Sequence, residues 1–199
     1  IAICTINKGV ATKEFEVIVV AKDPEVITSV VVTDEALGLG SYANGEKEVT
    51  SVKFRYTQIG KYDDYIQMRY KNGVHSSICN VTPFMKIEKV VITLSKGKTG
   101  YSNNDALLIK FGTDDTYSDY STTMSTVENQ AVYEIYPDEE IYTYVSISHN
   151  MPKFTVYVAS IEFVYVKEPE VVESYDFGSE EYTGYAAGLG QDHRIAEAI

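Results

Sequence analysis

In the run YIQMRY, Tyr65, Gln67 and Arg69 occupy every second position, and Tyr62 precedes them across Asp63-Asp64. Side chains of an extended strand alternate between its two faces, so an aromatic, an amide and a guanidinium share one strip. Ile66, Met68 and Tyr70 share the other and suit a core. The first set offers stacking and hydrogen bonding to a polar ligand such as a sugar or peptide. The same residue types also suit the wet face of any antiparallel sheet, and the absence of tryptophan removes the broadest platform for sugar rings.

Reaction chemistry needs a constellation, and none can be assembled along the chain. His75, His149 and His193 lie in separate segments without ligand spacing, and neither HExxH nor CxxC occurs. No GxSxG elbow or P-loop is present, and Gly38-Leu39-Gly40 lacks the strand-to-helix setting of a dinucleotide site. Asp63-Asp64, Asp114-Asp115 and Glu139-Glu140 read as solvated loop charges. Hard-cation ligands are offered by Asn104 and Asp105 in the loop 102–106, and by Asp114 and Asp115 in the loop 112–120. A structural calcium is therefore weighed against ordinary polar turns, with no other cofactor expected. Cys4 and Cys79 read as two small thiols or, less simply, as a disulfide.

The elements that must position these residues are strands. Seventeen Tyr and seven Phe, with abundant Val, Ile and Thr among 199 residues, favour pleated, half-buried surfaces. From about residue 25 to 167, nine or so short apolar runs are separated by turn residues such as Asn44-Gly45, Asn72-Gly73 and Lys96-Gly97. That spacing predicts an all-β fold, an antiparallel β-sandwich of the jelly-roll kind. Along 154–166 the apolar parity changes midway, which predicts a bulge near Ala159-Ser160. Residues 1–24 read as a separate β-hairpin turning at Asn7-Lys8-Gly9. Residues 168–199 are acidic, poor in periodic apolar positions, and read as an extended tail or the start of another module.

Two resemblances follow from particular segments. ICTINKGVATKEFEVIVVAKDP resembles the closing strands of bacterial immunoglobulin-like domains of group 2, which implies the end of a longer modular chain. LGLGSYANG, KFRYTQIGKYDDYIQMR, YSNNDALLIKFGTDD, YEIYPDEEIYTYVSI and the final ASIEFVYV together resemble a β-sandwich module of surface and secreted proteins of gut bacteria. This second likeness implies architecture and location rather than an activity.

With 29 acidic and 17 basic residues the net charge is -12, which disfavours nucleic acid and anionic membranes as partners. No apolar run is long enough to insert in a membrane. The reading favoured by the sequence is therefore a non-catalytic structural or adhesive module, extracellular, on a cell surface or virion. Its partners would be neighbouring domains or subunits of a larger assembly. The alternative is a carbohydrate-binding module of a secreted multidomain hydrolase, with glycans as partners.

Overall fold

A computed structural model describes residues 2–8, 11–17, 25–95 and 105–167. Strands β1 (Ala2–Lys8) and β2 (Ala11–Val17) form an antiparallel hairpin paired from Ala2↔Val17 to Lys8↔Ala11. Asn7 and Lys8, expected in the turn Asn7-Lys8-Gly9, are thus still strand, and Gly9 lies outside the described residues.

A second compact unit spans Glu25–Glu168. Its elements, in order, are β3 (Val26–Val32), α1 (Asp34–Leu37), β4 (Ala43–Val49), β5 (Val52–Tyr62), β6 (Tyr65–Lys71), β7 (Val74–His75) and β8 (Ser77–Asn80). There follow β9 (Lys86–Leu94), β10 (Asp105–Gly112), β11 (Tyr120–Ser125), β12 (Val132–Ile135), β13 (Tyr144–His149) and β14 (Thr155–Lys167). The fold is an antiparallel β-sandwich, as the strand spacing predicts. One layer runs β11-β10-β13-β8-β5, with β4 on β5; the other runs β5-β6-β14-β9-β12, with β3 on β14 and β7 on β6.

Strand β5 belongs to both layers. Phe54 to Thr57 pair with β8, whereas Gly60 to Tyr62 pair with β6, and between them Gln58 adopts a left-handed φ of 50°. Its amide donates to Asn44 Oδ1 at 2.7 Å, and its carbonyl accepts from the buried Ser76 hydroxyl at 2.5 Å. The irregular residue therefore keeps its backbone partners while the strand turns the corner.

The core lies between the layers. Val52, Phe54, Ile78, Ile109, Phe111, Val145 and Ile147 come from one sheet; Ile66, Met68, Val90, Ile92, Val156, Val158, Ile161 and Phe163 come from the other. Phe54 and Phe163 meet across the gap, with ring centroids 5.0 Å apart. Strand β14 keeps both of its ends in this core by slipping register between Val158 and Ser160, at the anticipated bulge. A second slip, between Val164 and Tyr165, brings Val166 inward and was not anticipated.

Turn chemistry was read correctly at one hairpin and wrongly at another. Asn72 and Gly73, with φ of 54° and 82°, join β6 to β7 in the left-handed geometry that a two-residue hairpin needs. Asn44-Gly45, expected to be a turn, instead lies within β4; the turn is at Thr50-Ser51, with φ of 47° and 62°. Strand β4 is hard to see because its sequence, ANGEKEV, is that of a charged edge strand without an apolar face. At Gly45 a Cβ would stand 2.7 Å from Tyr56 Oη, so a larger residue would have to displace the tip of that ring.

Candidate functional site: an aromatic and cationic sheet face

The site is built on the outer surface where β5, β6 and β14 lie side by side. Register places Gly60 beside Gln67 beside Tyr157, and Tyr62 beside Tyr65. Ile66 and Met68 are fully buried on the opposite side, which fixes Tyr65, Gln67 and Arg69 on the outer face. The four expected residues, Tyr62, Tyr65, Gln67 and Arg69, therefore share one surface, joined by two that sequence reasoning missed, Tyr42 and Tyr157.

Tyr157 is diagonal to Tyr62, with ring centroids 5.2 Å apart, and its hydroxyl accepts a 3.1 Å hydrogen bond from Gln67 Nε2. Gln67 is consequently enclosed, at 9% exposure, rather than lying on an open strip as expected. The signal for Tyr157 was present in the bulge at Ala159-Ser160. With Val156 and Val158 inward, parity requires Tyr157 outward.

Tyr42 arrives from outside the sheet. Helix α1 is capped by Thr33, whose Oγ1 accepts from the Ala36 amide at 3.1 Å. It ends at Gly38, with φ of 65°, where the amides of Gly38 and Leu39 bond to the carbonyls of Glu35 and Asp34. These are the paired closing bonds of a Schellman motif, so the Gly-Leu-Gly stretch serves as a helix stop. The chain then turns back, the Lys61 amide bonding to the Gly40 carbonyl at 3.0 Å, and sets Tyr42 flat over Gly60. A Cβ at Gly60 would stand 2.9 Å from the Tyr42 ring, so only glycine admits the ring at this depth.

Above Tyr42 lie two cations. The Arg69 guanidinium is 3.8 Å from the ring centroid and the Lys71 ammonium is 5.4 Å from it. Ser76 holds the Arg69 backbone, accepting from its amide at 2.9 Å while donating to Gln58. Two polar atoms of the site, Tyr42 Oη and Arg69 Nε, are enclosed without a hydrogen-bond partner. Burial pushes the Tyr42 phenol up to about 12, against the opposing pull of Arg69, so it remains a neutral hydroxyl at physiological pH.

Other expectations fare differently. Tyr70, assigned to the core by parity, is 38% exposed and packs on His75 at 4.6 Å between centroids, where β6 has passed the end of its pairing with β14 and pairs with β7. Asp105 opens β10, whereas Asp114 and Asp115 follow its far end. The eight residues of β10, a length of about 23 Å, lie between the two loops. Asp105 accepts from the Ser125 hydroxyl; Asp114 accepts from the amide and hydroxyl of Thr116, which hold its carboxyl below its usual range. Asn104 lies outside the described residues, as do His193 and the side chain of Cys4. Cys79 is a half-buried free thiol.

His75 and His149, 74 residues apart in sequence, prove to be neighbours with Nδ1 atoms 3.3 Å apart. Among the described residues, no three His, Cys, Asp or Glu side chains gather to hold a metal. No helix of the described residues is long and apolar enough to cross a membrane.

No protein-family model matches the chain. No curated protein matches it either. Among solved structures, the chain is similar to a low-affinity xylan-binding module, CBM86, from the xylanolytic gut symbiont Roseburia intestinalis. Sequence identity is 14%, 68% of this chain and 94% of that chain are covered, and the TM-score is 0.37.

Proposed function

We propose that the unit formed by residues 25–167 is a non-catalytic carbohydrate-binding module. Its ligand face is the surface formed by Tyr42, Tyr62, Tyr65, Gln67, Arg69 and Tyr157. The observation that carries this reading is the concentration of tyrosine rings around one amide and one guanidinium on a face held rigid by the sheet. Rings contact the C–H faces of a sugar, while Arg69 and the hydroxyls of Tyr62, Tyr65 and Tyr157 bond its hydroxyls, with Gln67 beneath holding Tyr157 in place. Rigid strands keep the ordering cost of such contacts low. The adhesive reading favoured by the sequence leans on residues 1–24 and 168–199, and the 25–167 unit offers no feature specific to it. A glycan-binding module acts where its polysaccharide is found, and an extracellular setting is part of this proposal.

Affinity electrophoresis of the 199-residue chain through gels containing a panel of soluble plant and bacterial polysaccharides tests this. At least one polysaccharide should retard the protein, and Tyr65→Ala, Tyr157→Ala and Arg69→Ala should each relieve the retardation with unchanged circular dichroism. Free migration through every gel would remove the proposal.

A further inference from the structure

The cations of the 25–167 unit are unevenly partnered. Lys53 and Arg55 meet Glu46; Lys61 meets Asp34; Lys86 meets Glu25, Glu88 and Glu140; and Lys89 meets Glu134. Lys47, Arg69, Lys71, Lys110 and Lys153 have no carboxylate within ion-pair distance among the described residues, and of these Arg69 and Lys71 lie together. They stand two residues apart on one strand, both over the Tyr42 ring. The Arg69 guanidinium makes no side-chain hydrogen bond there, and its Nε is enclosed with none.

From this we infer that the ligand of the proposed sugar face is an acidic glycan, one of whose uronic-acid carboxylates is received by Arg69 and Lys71. The inference rests on the carbohydrate-binding reading and narrows it to a substrate class. Guanidinium and carboxylate are both planar and match in bidentate geometry. Stacking on Tyr42 fixes the guanidinium plane in advance, so little side-chain freedom is lost when the anion arrives. The overall charge of -12 does not forbid this contact. Carboxylates farther away than the screening length, about 8 Å at physiological ionic strength, act weakly on a bound anion, whereas the two cations would touch it. Tyr157, Gln67 and Tyr62 then lie beside the charged sugar to receive the next residues of the chain.

The test compares polygalacturonate with the neutral polymer obtained by reducing its carboxyl groups, using dextran sulfate as a polyanion without uronate, by affinity electrophoresis and titration calorimetry. Polygalacturonate should bind at least about 10-fold more tightly than its reduced form, the low end expected for a charge-assisted hydrogen bond. Arg69→Gln and Lys71→Gln should each narrow that preference while preserving the fold by circular dichroism. Equal binding of the native and reduced polymers overturns the uronate inference but leaves the carbohydrate-binding reading standing. Equal or tighter binding of dextran sulfate overturns it as well, because simple ion exchange would then suffice. If none of these polymers binds while a neutral polysaccharide of the wider panel does, the inference alone falls; if nothing in the panel binds, both fall.

Discussion

Replacing Asn80 tests how the layer opposite the candidate site is pegged together. The Asn80 side chain is fully buried; Nδ2 donates to the carbonyls of Thr82 and Thr143 at 2.9 and 3.0 Å, and Oδ1 accepts the Val145 amide at 2.7 Å. Asn80→Ala removes all three bonds, but their costs differ. The Thr143 carbonyl keeps the Phe84 amide at 2.9 Å, and Thr82 is near enough to the surface to take water. Only the Val145 amide is left buried and unpaired. At about 2 kcal/mol for that orphan and about 1 kcal/mol for the other two bonds together, the loss is about 3 kcal/mol. A loss of that size lowers the midpoint of thermal unfolding by about 10 °C in a unit of this length. Asn80→Asp sharpens the argument, since it retains the acceptor for Val145 but turns a buried carboxylate toward two carbonyl oxygens. It should be at least as damaging as alanine at pH 7, and its deficit relative to wild type should shrink as the pH falls toward 4 and the carboxyl protonates. Urea and thermal unfolding followed by circular dichroism measure both variants. A loss below about 1 kcal/mol for Asn80→Ala, or an aspartate deficit that does not shrink in acid, would show the orphan-amide reasoning to be wrong.

Three further outcomes are expected. Gly60→Ala should push the Tyr42 ring from beneath Arg69, because the new Cβ would stand 2.9 Å from it; glycan affinity should fall about 5-fold, for about 1 kcal/mol of lost stacking, with unfolding stability changed by no more than that amount. Tyr42→Phe keeps the ring but deletes an enclosed hydroxyl without a partner, so unfolding stability should hold or rise by up to about 1 kcal/mol while glycan binding, read by titration calorimetry, is unchanged because that hydroxyl does not reach the surface. His149 is buried beside His75, and burial holds its pKa below the usual 6.5. The neutral form is then the one that folding favours, so its contribution is present above pH 6.5 and is lost as the pH falls below that value. The urea midpoint should therefore decline from pH 7 toward 5, with a slope no steeper than about 1.4 kcal/mol per pH unit for one proton, and His149→Gln should flatten that decline.

What could be read from the chain divides along a physical line. Periodicity carried the strands with an apolar face, including the parity change that places the bulge at Ala159-Ser160, because burial on one side imposes alternation. It failed for β4, where ANGEKEV has no buried side, and for β11, where Tyr120, Thr122 and Met124 face inward in a mostly polar segment. The outward placement of the candidate residues on β6 followed from alternation, though the enclosure of Gln67 did not. Tyr42 could not, since its position depends on a four-residue helix, the stop at Gly38 and the absence of a Cβ at Gly60, none of which leaves a period. The proximity of His75 and His149 was equally hidden, because it arises from β8 pairing with β13 across the sheet.

The bend of β5 at Gln58 bears on how a polysaccharide would be held. One continuous backbone runs through both sheets, and the corner is stapled by Asn44, Ser76 and the Arg69 amide. Sliding one sheet over the other would tear those bonds, so the platform cannot tilt to suit its guest. Adjustment is left to the Tyr42 loop and the long side chains of Arg69 and Lys71, and a bound chain would have to adopt the shape the sheet already has.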